Sequence, residues 1–213
     1  MENRVAPRLA PLEPPFEPAV EAFLRRRMPK HSPVPPLQLF RLFAKDPELA
    51  DAIEPLGRFM LKHAPGVSSS IPVRDREIVI DRVCARCGCE YEWGVHVAFF
   101  AAQCGLSEQA VRATVLGEAD DTAFGARDRL LIAMVDALHD QGDVGDELWS
   151  RLSAEFSETE LLELLLLAGW YHAIAYVANA ARLPLEPWAA RFPERAGETT
   201  RAGRSESGSR TPR

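Results

Sequence analysis

Cys84, Cys87 and Cys89 fall within six residues of one another, and Glu92 and His96 follow in the next seven. Thiols, carboxylates and an imidazole are side chains that attack electrophiles, relay protons or hold metals. If residues 89–104 form one helix, at about 100° per residue Cys89, Glu92 and His96 project along one stripe. Glu92 and His96 are then an i, i+4 pair in contact. Cys89 sits in the first turn, where the positive end of the helix dipole favours a thiolate. Glu77 lies on the preceding segment, Val73–Arg86. A turn at Gly88 that folds the two segments into an antiparallel pair brings Glu77 to the same stripe. A thiol, two carboxylates and an imidazole would then converge between two helices as a proton relay.

Plainer readings stand beside this one. Glu92 and His96 can be a surface pair worth a few tenths of a kcal/mol, and Cys89 can be a small buried hydrophobe. Glu77 can be a solvated charge paired with Arg74 or Arg82. A zinc reading would use Cys84, Cys87, Cys89 and His96. It rests on one Cys-x-x-Cys pair without a second, so no metal and no cofactor are expected. His172 lies in the most apolar stretch, beside Trp170, Tyr171 and Tyr176. It is either a satisfied core histidine or a second wall of the pocket. His31, His63 and His139 fall in or beside predicted loops and are expected to be solvated.

Several elements must position these residues. Nine of the 17 prolines occupy residues 1–36, which predicts an extended arm over 1–35 interrupted by a short helix at Pro18–Arg27. Helical spacing follows at Leu37–Ala44 and at Pro47–His63, with Pro55 as a kink or break. Val73–Arg86 mixes β-branched residues with charges that do not alternate, which favours helix over strand. Helices are predicted at Cys89–Cys104, Ser107–Leu116, Ala123–Gln141 and Asp146–Phe156. Ser157-Glu-Thr-Glu160 is a capping box opening a long helix to about Leu183. No strand survives, and the class is all-α. The folded domain is placed at 36–188, and 189–213, poor in large apolar side chains, is expected to be a disordered tail.

Composition narrows the function classes. A net charge of −6 argues against a nucleic-acid surface. Four cysteines in 213 residues are too few for a disulfide scaffold. The stretch Leu164–Ala181 contains His172 and Asn179, follows three glutamates, and reads as a helix buried all round rather than a membrane span. A soluble, cytoplasmic protein with reduced thiols is expected, with no membrane or nucleic-acid partner.

Glu77, then Cys89 twelve residues on, then His96 resembles the signature of the carboxymuconolactone decarboxylase and alkylhydroperoxidase D superfamily. Its peroxidase branch carries Cys-x-x-Cys-x-x-x-His at this point, and Glu92 stands here in place of the second Cys. The Tyr91-Glu-Trp-x-x-His96 core is similar to a longer branch of that superfamily, over about Pro36–Pro187. Gly105-Leu-Ser, Asp128-Arg-Leu-Leu, Asp136-Ala-Leu and Gly169-Trp-Tyr fit the same branch. The resemblance implies an all-helical fold that assembles into dimers, trimers or hexamers, with sites near subunit contacts.

In the peroxidase branch the second Cys attacks peroxide and the first resolves it, and a carboxylate takes neither role. Cys84 or Cys87 would have to replace the missing thiol, and Cys87 is awkwardly close to Cys89. Acid–base decarboxylation of a small carboxylic acid needs no second Cys. In that reading His96 is the general acid/base, Glu77 or Glu92 orients it, and Cys89 is an accompanying thiol. Arg76 or Arg82 would hold a substrate carboxylate, and Tyr91, Trp93 and His172 would line the pocket. The alternatives are a thiol peroxidase and a non-catalytic ligand-binding oligomer.

Overall fold

The computed structural model describes residues 6–29, 31–61 and 70–194. Among them the chain forms nine helices and no strand: α1 Pro18–Arg27, α2 Gln38–Phe43, α3 Pro47–Met60, α4 Val73–Arg86, α5 Glu90–Phe100, α6 Glu108–Leu116, α7 Ala126–Gln141, α8 Asp146–Glu155 and α9 Glu158–Ala181. The all-α expectation holds.

α4 is the axis of the molecule. Ten consecutive residues, Asp75–Cys84, are buried, and α5, α6, α7 and α9 pack around it. A helix covered on every side shows no amphipathic period, which is why its sequence reads as a mixture. Four of its charged residues are paired with residues 127–140 of α7. Arg74 pairs with Asp128 at 2.8 Å and Arg82 with Asp136 at 2.7 Å, Arg86 pairs with Asp140, and Asp75 pairs with Arg127 at 2.8 Å. Three of these pairs share one sequence offset of 54 residues, so α4 and α7 run parallel and in register.

The helix ends follow local rules. Ser107 and Ser157 accept from the backbone N–H groups of Ala110 and Glu160, satisfying donors the first turn leaves unpaired. Gly88 and Gly142 take positive φ at the ends of α4 and α7, a conformation glycine adopts without steric cost. The turn at Gly88 folds α5 back onto α4. Pro55 does not end α3: the helix runs through it to Met60. His63, at the predicted end of that segment, lies outside the described residues.

The described part of the proline-rich arm is not free. The N–H groups of Arg8 and Leu9 donate to the carbonyl of Ala181, and Arg41 Nε donates to the carbonyl of Leu12 at 2.6 Å. Phe23 and Leu24 of α1 form a small second core with Ala44 and Ala50.

Residues 189–194, the first of the expected disordered tail, are ordered. Residues 189–194 lie against α5: Ala190 N donates to Gly94 O at 3.1 Å, Phe192 N donates to Glu90 at 3.0 Å, and Phe192 packs on Trp93. The aromatic side chains of Trp188 and Phe192 supply the apolar surface that holds this segment down. Residues 195–213 lie outside the described residues.

α9 is long and apolar enough to cross a membrane by length and composition, but half of its most apolar window is buried within the protein. It is a core helix on one side and an exposed apolar face on the other.

Candidate active site

The turn at Gly88 brings the α4 stripe Glu77, Asp81 and Cys84 against the α5 stripe Cys89, Glu92 and His96. α9 closes the third side with Tyr171. His96, 4% exposed, is the hub. Its Nδ1 lies 2.8 Å from Glu77 Oε2, and its Nε2 lies 3.1 Å from the Tyr171 hydroxyl and 3.5 Å from Glu92 Oε1. The Tyr171 ring meets the imidazole edge-on with centroids 5.1 Å apart, and Phe100 covers another side at 5.4 Å. Arg76 donates from Nε to Glu77 Oε1 at 2.6 Å and from a terminal nitrogen to Leu61 O at 2.9 Å. One oxygen of Glu77 therefore holds the guanidinium and the other holds the imidazole.

These contacts set the charges. Burial opposes ionisation of His96, but the attraction of Glu77, with its hydrogen bond, and that of Glu92 outweigh it and push the pKa up to about 10. Burial likewise opposes charge on Glu77, and the His96 and Arg76 cations hold it below the usual carboxylate range. At neutral pH His96 is an imidazolium and Glu77 a carboxylate, so His96 Nδ1–H donates to Glu77 and Nε2–H points at Tyr171 and Glu92. Asp81, one helical turn from Glu77, goes the other way. Complete burial and then repulsion by Glu77 raise it well above the usual range, and its Oδ1 has no hydrogen-bond partner. Two neighbouring carboxyl groups thus carry opposite protonation states, as expected when like charges crowd one low-dielectric site. Tyr171 keeps its proton, because burial and then the charges of Glu92 and Glu77 raise it.

Residues 47–137 match the profile of the carboxymuconolactone decarboxylase family. This segment is similar to that family. It contains Glu77, Asp81, Cys89, Glu92 and His96, and α9 adds Tyr171 from outside it. Two solved structures share the fold. One, an uncharacterized peroxidase-related protein from Silicibacter sp. TM1040, is 16% identical, with a TM-score of 0.68 over 87% of this chain and 96% of its own. The other is a protein of unknown function from Agrobacterium tumefaciens, proposed to be the antioxidant defence protein AhpD. It is 20% identical, with a TM-score of 0.60 over 68% of this chain and 94% of its own. Comparison with curated proteins finds no match.

Within this carboxymuconolactone decarboxylase-like domain the predicted Glu77, Glu92 and His96 do converge, and five other predicted site residues are placed otherwise than expected. Cys89 is not a thiolate. It holds the N-cap position of α5 with no side-chain cap hydrogen bond, and burial outweighs the nearby Glu92 and Tyr91 backbone N–H groups and pushes its pKa up to about 12. Arg82 cannot hold a substrate carboxylate: its fork grips both oxygens of Asp136 and the carbonyls of Thr114 and Gly117. Tyr91 and Trp93 are framework. Tyr91 donates to Glu186 at 2.9 Å and accepts from Leu39 N, and Trp93 donates to Thr114 at 3.0 Å. His172 does not face His96. It meets His139 at 3.0 Å, so His139 is no solvated loop residue, and Tyr171 takes the place expected of His172. Arg76 stays at the site, spent on Glu77. Asp81 is signalled as the residue at i+4 from Glu77, whereas Tyr171 is signalled only by its place in the Gly169-Trp-Tyr motif, since apolar residues lie on every side of α9.

Proposed function

We propose that the domain is an acid–base lyase that decarboxylates a small carboxylic acid, with His96 as the general acid. The observation supporting this is the buried imidazolium, fixed at Nδ1 by Glu77 with its Nε2–H left on the side of Tyr171 and Glu92. Glu92 is the least buried of the group, and in this reading a substrate enters on its side. In an acid whose carboxylate is conjugated through an unsaturated or lactone ring, the C–CO₂ bond breaks and its electron pair moves into the conjugated carbonyl. CO₂ leaves, and the Tyr171 O–H and the imidazolium stabilise the dienolate. His96 Nε2 then delivers its proton to carbon and recovers one from solvent. Glu77 is a positioning residue, acting through His96 and itself held by Arg76.

The cysteines bear on the alternative. Burial raises Cys84 well above the ordinary thiol range and holds Cys89 at about 12, so neither offers the thiolate a peroxide-attacking residue requires. Thiol peroxidase chemistry is the second reading because one structural neighbour is described as peroxidase-related and the other as a proposed antioxidant defence protein.

The test is CO₂ release from carboxymuconolactone and related unsaturated lactone acids, run beside thiol titration under an organic hydroperoxide. The lyase reading expects turnover that falls by about 10²–10⁴ in His96→Gln and survives Cys89→Ser. Loss of two thiols per chain under hydroperoxide, restored by a dithiol, with no CO₂ from any acid, would overturn it.

We also propose self-association through α9. Leu162, Leu166, Gly169, Ala173, Tyr176 and Ala180 are all exposed and recur at spacings of four and three, the pattern of a helix–helix seam.

A further inference from the structure

His172, one residue on from Tyr171, joins a second group of reactive side chains away from the His96 cluster. Cys87 caps the end of α4, His139 lies in the last turn of α7, and His172 sits in the middle of α9. The Cys87 sulfur and one ring nitrogen of each histidine all lie within 4.8 Å of one another, and all three residues are half-buried. Three separate helices therefore deliver soft and borderline donors to one point.

The hydrogen bonds around the group orient the donors. His172 Nδ1 lies 3.0 Å from the Ala168 carbonyl. A carbonyl only accepts, so the proton is on Nδ1 and the neutral ring's lone pair is on Nε2. That lone pair points at His139 Nδ1, 3.0 Å away. A backbone carbonyl holding the remote nitrogen of an imidazole is the arrangement that fixes a metal-binding tautomer. Cys87 is anchored as well, its carbonyl accepting from Asn179 Nδ2 of α9 at 2.8 Å. Around a tetrahedral zinc, with Zn–N about 2.0–2.1 Å and Zn–S about 2.3 Å, neighbouring nitrogens are about 3.3 Å apart and nitrogen and sulfur about 3.6 Å. The observed nitrogen pair needs to open by only a few tenths of an ångström. Next to the group, Arg86 is paired with Asp140 and lies 3.6 Å from Asp136, which offsets the guanidinium charge facing a bound cation.

We propose that Cys87, His139 and His172 form a three-ligand site for one zinc ion, with the fourth tetrahedral position open to water or an exogenous donor atom. On binding, the Cys87 Sγ–H proton is released to solvent. The His139 proton moves from Nδ1 to Nε2, and the metal takes the place it held between the two rings. One thiolate and two imidazoles suit zinc and its cobalt substitute better than hard cations such as magnesium or calcium. The site is separate from His96 and does not depend on the lyase reading.

The full chain, stripped with a chelator and dialysed against zinc, is expected to retain one zinc per chain. His96→Gln is expected to retain it too, while His139→Ala and His172→Ala each bind at least about tenfold more weakly. Cobalt in place of zinc should give the near-ultraviolet thiolate-to-cobalt charge-transfer band, lost in Cys87→Ser. A readout on the unmodified sequence guards against variants that fail to fold: zinc should protect Cys87 from alkylation, mapped by mass spectrometry, while Cys104 stays as reactive as before. No retained zinc, a cobalt spectrum without the thiolate band, or equal alkylation of Cys87 with and without zinc would each overturn the proposal.

Discussion

Replacing Glu77 by glutamine removes one charge from the His96 cluster and one acceptor from Arg76. The amide oxygen can still accept from His96 Nδ1–H at the 2.8 Å the carboxylate provides, so that contact survives, while the amide NH₂ meets the Arg76 Nε–H that Oε1 accepts from in the wild type. Carrying an imidazole from the ordinary 6.5 to about 10 corresponds to about 5 kcal/mol of preference for the charged form, at 1.36 kcal/mol per pKa unit. Glu77 supplies the larger attraction and Glu92 the smaller. Without Glu77, the burial of a residue 4% exposed takes over, and the His96 pKa falls toward or below 6.5. Arg76, 3% exposed, loses its carboxylate partner at the same time. Breaking a buried pair in this way costs about 3–5 kcal/mol.

The pH dependence separates this account from simple loss of packing. His96 binds its proton more tightly in the folded state, so the stability it contributes is complete below about pH 6.5. That contribution declines as the pH rises and is gone once the pH passes about 10. Glu77, depressed in the folded state, reports the same interaction from the acid side: its share is lost as pH falls through its folded pKa. The stability gap between wild type and Glu77→Gln should therefore be widest near pH 5–6.5 and narrow toward pH 10, down to the share that the lost Arg76 pair contributes throughout that range. Urea denaturation across that range measures the gap, and imidazole NMR of His96 gives the pKa directly. A wild-type His96 that titrates near 6.5, or a gap that stays constant from pH 6 to pH 10, would refute the reasoning.

Asp81→Asn replaces a carboxyl group that burial already keeps neutral. An acid raised in the folded state weakens folding as pH rises above its unfolded value, so the variant should equal or exceed wild type in stability at pH 7 and lose that advantage near pH 3.5. A loss of more than about 2 kcal/mol at pH 7, the size expected for a broken buried network, would show that Asp81 is ionised and paired. Gly94→Ala places a methyl group 2.3 Å from the Ala190 carbonyl oxygen, which forces residues 189–194 off α5. Hydrogen exchange should quicken at Ala190 and Phe192, with a cost of about 1–3 kcal/mol. Leu166→Glu puts a charge into the exposed α9 stripe, where Leu166 is 52% exposed. Sedimentation should show a smaller species with unchanged helicity, and an unaltered sedimentation coefficient would remove α9 as the contact.

How far the sequence carried the structure depends on whether a constraint was local or relational. Val73–Arg86 and Pro18–Arg27 form helices at the expected bounds, and the Ser157 box closes as written, because caps and breakers act through neighbouring residues. The convergence of Glu77, Glu92 and His96 was readable for the same reason: a helical stripe and one glycine turn relate all three. Phase around α9 was not readable. Its buried stripe, including Leu164, Leu167, Tyr171 and Ala178, and its exposed stripe, including Leu162, Leu166 and Tyr176, are both apolar, so no period distinguishes Tyr171 from His172. Tertiary contact alone assigns one ring to His96 and the other to His139.

The charges of α4 show how a relational constraint can still leave a trace. Arg74, Arg82 and Arg86 are spaced by eight and four residues, and so are Asp128, Asp136 and Asp140. Parallel helices with the same rise per residue keep such sets in register over their whole length, and each arginine meets its aspartate in turn. Had the helices run antiparallel, Arg74 would face the Asp140 end and the unequal spacings would misalign. The matched spacing therefore encodes both the direction and the register of α7 on α4. Because α4 is buried on every side, that alignment also fixes the rotation at which Glu77 and Asp81 face His96.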